Sequence, residues 1–119
     1  MFFFDSYALI GLFDGNPACQ KYADLHIITN ALNLGETYYY YLRHGKEIAF
    51  LNAISSARIE CLPVSPVDAY AAMNYRLEQK QKRFSFVNCI GYTVAMSKEL
   101  TFLTGDNEFR GIPNVEFVK

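Results

Sequence analysis

The chain is 119 residues long, which one domain fills and which excludes a second. Hydrophobic residues make up 51% of it and aromatics 16%, the latter all Phe and Tyr, a globular composition with enough apolar mass for a buried core. The formal net charge of −1 excludes a global field that would draw nucleic acid or an anionic membrane, so any polyanion contact must come from a local patch.

In chain order, Met1–Phe4 is a short apolar run that reads as a buried strand, and Tyr7–Phe13 continues it with helical spacing, leaving Asp5 at the junction. Asp5 and Asp14 interrupt this apolar start and no basic segment precedes it, so it fails as a signal peptide or membrane span, and a soluble cytoplasmic protein is expected. Gly15-Asn16-Pro17 breaks the helix and opens a short one over 18–23. A second strand is expected over 25–29. Thr29 or Asn30 then caps a helix over 32–43 that places Leu34, Tyr38, Tyr41 and Leu42 on one side. A further helix is expected over 46–57, a strand over 59–64, a helix over 67–79 begun by Pro66, and a helix over about 85–100. Between the last two, residues 79–83 are polar, basic and unpatterned. Strands over 101–104 and 115–118, separated by turns, complete an α/β domain with a mainly parallel central sheet flanked by helices.

Three acids sit at the ends or edges of core elements. Asp5 follows the first strand and Asp106 follows the fourth; in open α/β sheets ligands bind outside the carboxyl ends of the strands, so neighbouring strands would bring the two carboxylates together. Glu36 lies among apolar and aromatic residues in NLGETYYYYLR. Each acid has an ordinary alternative: a helix cap for Asp5, a turn for Asp106, solvent for Glu36. Together they suit a hard cation such as Mg²⁺, which takes oxygen ligands from one or two carboxylates plus water.

The segments FFFDSYALI, NLGETYYYYLR, SFVNCIGYTVA and TFLTGDNEFRGIPNVEFVK, in that order across the whole chain, resemble the PIN domain, in particular the VapC group of toxin ribonucleases. The resemblance implies a single PIN-like domain over 1–119 and a Mg²⁺- or Mn²⁺-dependent ribonuclease that hydrolyses RNA phosphodiesters. It also implies a small antitoxin as partner, and a homodimer. Its catalytic, metal-holding acids would be Asp5, Glu36 and Asp106, with Ser6 and Thr104 in supporting places. Asn88 falls where the family carries its third acid. Three accounts of Asn88 stand open: a naturally weakened or inactive nuclease, an isosteric replacement of the acid, and a helix residue with its own hydrogen-bond partner. An amide oxygen would still bind the cation, weakly.

Two basic groups offer a phosphate-backbone contact: Arg76, Lys80, Lys82 and Arg83 before the last long helix, and Arg43, His44 and Lys46 after the Glu36 helix. Of these, Arg43, Lys80, Lys82 and Arg83 are the nucleic-acid candidates, against the plainer reading of a solvated face. Tyr38–Tyr41 are consecutive, point in different directions and cannot form one stacking platform; they are expected to fill the core or, with other apolar residues of the early helices, a dimer interface. Cys19, Cys61 and Cys89 form no CxxC pair and are expected as buried, reduced thiols, and His26 as a structural residue. A receiver-like signalling domain lacks its Lys here. A catalytically inactive RNA- or partner-binding module on the same fold is the stronger alternative, and Asn88 is what favours it.

Overall fold

A computed structural model describes all residues, Met1–Lys119. Five parallel strands, β1 (Phe2–Phe4), β2 (Ile27–Asn30), β3 (Ile59–Leu62), β4 (Thr101–Thr104) and β5 (Val115–Phe117), form one sheet in the order β3-β2-β1-β4-β5. Around it run α1 (Ser6–Phe13), α2 (Ala31–Arg43), α3 (Glu47–Ser56), α4 (Pro66–Glu78) and α5 (Phe86–Ser97), with 3-10 helices at Pro17–Tyr22 and Asn107–Phe109. The expected α/β architecture is therefore what the chain adopts.

Strand alternation divides the core between the two faces of the sheet. Phe3, Ile28 and Phe102 join Ile90, Val94 and Ala95 of α5 in one cluster, while Phe4, Ile27 and Leu103 join Ala8 and Leu9 of α1 in the other. Helix α5 lies close on its face because Gly91 has no side chain: a Cβ there would come within 3.1 Å of the Phe3 ring and 3.2 Å of the Phe102 ring.

The register sets the site. Phe4 pairs with Leu103, so β1 and β4 end side by side, the chain leaving β1 toward β2 and β4 toward β5. A crevice outside the carboxyl ends of such strands is where α/β sheets hold ligands.

Several elements differ from the sequence reading. Leu25 and His26 precede β2; His26 is half exposed and lies 3.6 Å from Glu60, a surface contact rather than a core one. The segment Pro17–Tyr22 is 3-10 and not α-helical, and Asn16 caps it by accepting the Ala18 N–H. Helix α2 buries Asn33, Thr37 and Tyr41, while Tyr38 and Leu42 stay exposed. Its inward face is therefore polar, four residues apart each time. Cys19 and Cys89 are buried as expected, but Cys61, on the edge strand β3, is exposed. Both Thr29 and Asn30 are used: Asn30 caps α2, and the Thr29 hydroxyl donates to the Phe4 carbonyl at 2.8 Å.

Candidate active site

Asp5 leaves β1 in extended backbone, at the position before α1, and its carboxylate makes no hydrogen bond to the helix start. The carboxylate is instead held from β4: the Thr104 hydroxyl donates to Asp5 Oδ2 at 2.7 Å. Thr104 Oγ1 also accepts the Asp106 N–H at 3.1 Å, and Asp106 Oδ1 accepts the Glu108 N–H at 3.0 Å, so one hydroxyl ties both acids to the sheet end.

The second arm comes from α2. Ser6 Oγ lies 2.6 Å from Glu36 Oε1 and 2.9 Å from Asn33 Oδ1; with a single proton to donate, it favours the nearer, charged carboxylate. Asn33 Oδ1 accepts the Ser6 N–H at 3.1 Å, and Asn33 Nδ2 donates to Asn30 Oδ1 at 2.9 Å. Asn30 and Asn33 are both fully buried; the sequence reading has Asn30 as a helix cap and misses Asn33. Its signal was present: Asn33 precedes Glu36 by three residues, one helical turn.

Asn88 is the third residue of α5 and closes a capping box. Asn88 N–H donates to Ser85 Oγ at 3.0 Å, and Ser85 N–H donates to Asn88 Oδ1 at 3.1 Å. The side chain thus has the partner that the third account of Asn88 requires. It also faces the acids. A cleft of about 250 Å³ is lined by Asp5, Ser6, Glu36, Asn88 and Asp106, together with Tyr7, Ile10 and Ser85. All four sequence candidates for the catalytic positions meet there, with Ser6 on its wall and Thr104 beneath it.

The electrostatics are set by burial. Asp5 is 2% exposed, and its carboxyl is raised to about 6, first by desolvation and further by the Glu36 and Asp106 charges. The Thr104 hydroxyl and the nearby Ser6 N–H oppose this rise, although that N–H makes its own hydrogen bond to Asn33. Asp5 Oδ1 is buried without any hydrogen-bond partner. A buried carboxylate oxygen left open among oxygen donors is what a small hard cation would satisfy, so the residues fit such an ion. No three Asp, Glu, His or Cys side chains are gathered as a ready ligand set; Mg²⁺ needs only one or two carboxylates, with waters for the rest.

Of the basic candidates, Arg76, Lys80, Lys82 and Arg83 line a groove of about 650 Å³ that meets the acidic cleft at Ser85. Arg43 does not line it: it ends α2, stacked over Tyr39 at 5.7 Å. No helix is long and apolar enough to cross a membrane.

A sequence model of the PIN domain matches residues 2–115. No curated protein sequence matches the chain. Among solved structures, the VapC20 toxin of Mycobacterium tuberculosis, described as cleaving the sarcin-ricin loop, superposes with a TM-score of 0.83 at 18% identity over 100% of both chains. A chain of a toxin-antitoxin complex from Klebsiella pneumoniae has a TM-score of 0.76 at 22% identity, over 98% of this chain and 96% of that one. VapBC2 of Rickettsia felis, bound to a promoter DNA fragment, gives 0.78 at 17%, over 99% and 98%. At these identities the likeness is one of fold.

Proposed function

The chain belongs to the PIN domain family, and from that premise we propose that it is a metal-dependent endoribonuclease, the toxin of a toxin–antitoxin pair, with activity weakened by Asn88. The observation that carries this is the convergence of Asp5, Glu36, Asn88 and Asp106 on one cleft at the carboxyl ends of β1 and β4, with a buried Asp5 oxygen open. The fold shared with VapC20 and with two toxin–antitoxin assemblies supports an RNA substrate and a small protein partner.

Asp5, Glu36 and Asp106, with the second lone pair of Asn88 Oδ1 as a weaker donor, would hold Mg²⁺ or Mn²⁺. When bound, the ion supplies a Lewis acid for the phosphoryl oxygen and a more acidic water. The chain's own contribution is positioning. Thr104 fixes Asp5 Oδ2 and the Asp106 backbone, and Ser6 fixes Glu36, so each acid is held by a single hydroxyl. Arg76, Lys80, Lys82 and Arg83 flank the cleft and would take the RNA backbone.

A cytoplasmic homodimer completes the reading. Exposed apolar and tyrosine side chains lie on α2, at Leu32, Tyr38, Tyr39 and Leu42, on α3, at Ile48 and Leu51, and on α4, at Val67, Tyr70 and Leu77. On α4, Val67, Tyr70 and Leu77 share one stripe, interrupted by Asn74, and this stripe would pair with its copy across a two-fold axis.

The test is cleavage of a structured RNA with Mg²⁺ or Mn²⁺ and with chelator, by the native chain and by Asn88→Asp. The variant should cut at least tenfold faster, about 1.4 kcal/mol of barrier, and chelator should abolish cutting by both. RNA binding without cutting by either protein, with or without metal, would establish instead the inactive binding module that Asn88 favours.

A further inference from the structure

A second cavity shares a wall with the acidic cleft. Its volume is about 310 Å³, and it is lined by Tyr7, Ile10, Gly11, Asp14, Asn16 and Tyr40. Tyr7 and Ile10 line the cleft as well. The Tyr7 ring occupies the space that a side chain at Gly105 would need, 2.2 Å from that Cβ position, so it stands over the turn leading to Asp106. The Tyr40 ring rests on His44, centroids 4.4 Å apart.

Two polar groups here have one atom tied and one free. Tyr41 donates its hydroxyl proton to Asp14 Oδ1 at 2.5 Å, which leaves Oδ2 without a protein donor. Asn16 Oδ1 accepts the Ala18 N–H at 3.0 Å, which fixes the amide and leaves Nδ2 without a protein acceptor. The cavity therefore offers a charged acceptor, an amide donor and two tyrosines.

The geometry points to a base-binding subsite that takes an unpaired guanine from the RNA strand lying in the cleft. An aromatic ring stacks on any base, so the polar pair decides which. Guanine presents two adjacent N–H donors, N1 and N2, beside the O6 acceptor on its pairing edge. One donor suits Asp14 Oδ2, the other the second lone pair of Oδ1 beside the Tyr41 proton, and O6 suits Asn16 Nδ2. Adenine, cytosine and uracil each present only one donor group on that edge, so the carboxylate gains less from them. Asp14 also repels phosphate, so a base rather than the backbone enters. The backbone has its place where the basic groove meets the cleft at Ser85, a residue that does not line the second cavity. Unpaired bases splayed from the strand are how proteins read RNA sequence.

This inference rests on the cleft being the cleavage site, and its test separates the two. The full chain, in chelator, is titrated with guanosine, adenosine, cytidine and uridine 5′-monophosphates and followed by NMR. Guanosine monophosphate should bind at least tenfold more tightly than the others, shifting the amides of residues 7–16. Asn16→Asp keeps the cap acceptor for Ala18 but replaces the donor with an acceptor, and should abolish the preference. Tyr40→Ala should weaken binding roughly tenfold through loss of one base stack. Melting curves check that both variants fold. Equal affinity for the four nucleotides, no binding at millimolar concentration, or a preference unchanged in the Asn16→Asp protein overturns the subsite. Guanosine monophosphate preference in a protein that cuts no RNA defeats the nuclease reading and leaves the subsite standing.

Discussion

Replacing Asp5 by Asn should remove a fall in stability between about pH 4 and neutral pH, and the size of the effect follows from the carboxyl's surroundings. Its value of about 6 in the folded chain, against 3.8 in the open, means that the folded state binds the proton more tightly. Folded protein therefore holds more protons than unfolded protein between about pH 4 and pH 6, and stability falls as pH rises through that window. The difference of about two units corresponds to roughly 3 kcal/mol at neutral pH. Asn carries no charge to desolvate and can still accept the Thr104 hydroxyl, but its amide N–H would lie where Oδ1 now lacks a partner, at a cost of about 1–3 kcal/mol. The absolute stability of the variant is thus a near balance, whereas the pH slope is not. Urea unfolding in chelator from pH 4 to 7.5 should show the stability difference, variant minus native, rising by about 2.5 kcal/mol, since part of the shift is already present at pH 4. Added Mg²⁺ at pH 7.5 should stabilise the native chain more than the variant, since a ligand that binds only the folded state adds stability with its concentration. A difference that stays flat, or moves the other way, would refute the assignment of Asp5 as a carboxylate raised by burial.

Thr104→Val removes the proton donated to Asp5 Oδ2 at nearly constant volume; it should cost about 1.5–3 kcal/mol where Asp5 is ionised and less at pH 4, read from the same unfolding series. Gly91→Val should destabilise by about 1–3 kcal/mol by forcing α5 off Phe3 and Phe102, measured by urea midpoint at unchanged slope. The native chain should sediment as a dimer at tens of micromolar, and Tyr70→Glu should yield monomers without loss of melting temperature; a native chain that is monomeric throughout defeats the interface on α4.

What could be read in advance followed from rules that act on position along the chain. Asp5 and Asp106 were legible because each follows a short apolar strand, and because the strands are parallel and adjacent, ends that are 101 residues apart in sequence meet in space. Helix α2 shows where that logic stops. Apolar spacing picks Leu34, Tyr38, Tyr41 and Leu42, yet the buried stripe is Asn33, Thr37 and Tyr41. Periodicity reports residues buried for their apolar surface and is blind to polar ones buried because they bond: Asn33 to Ser6 and Asn30, Thr37 to the Asn33 carbonyl. The basic cluster of Arg76, Lys80, Lys82 and Arg83 was legible, but not its place beside the acids. Its residues come from the end of α4 and an unpatterned loop, and only the docking of α5 brings them to Ser85 beside the acids.

Asn88 joins both kinds of information in one side chain. The spacing Ser85-x-x-Asn88 is that of a capping box, legible in sequence, and Ser65-x-x-Asp68 at the start of α4 closes the same box with a carboxylate, Ser65 N–H donating to Asp68 Oδ2 at 3.0 Å. A carboxylate therefore satisfies this cap in the chain as well as an amide does. Negative charge in the first turn is favoured by the helix dipole in addition. The folding of α5 consequently places no demand on whether residue 88 is Asn or Asp. The difference between them falls on the cleft, where a carboxylate would add a fourth negative charge facing Asp5, Glu36 and Asp106. That charge adds to the repulsion from Glu36 and Asp106, which supplements the burial that raises Asp5 to about 6, and so makes the cleft more dependent on a cation. An amide at residue 88 keeps the architecture and lowers that dependence, which is why a substitution of one atom's chemistry should alter metal-linked stability and cleavage while leaving the cap, and the fold built on it, unchanged.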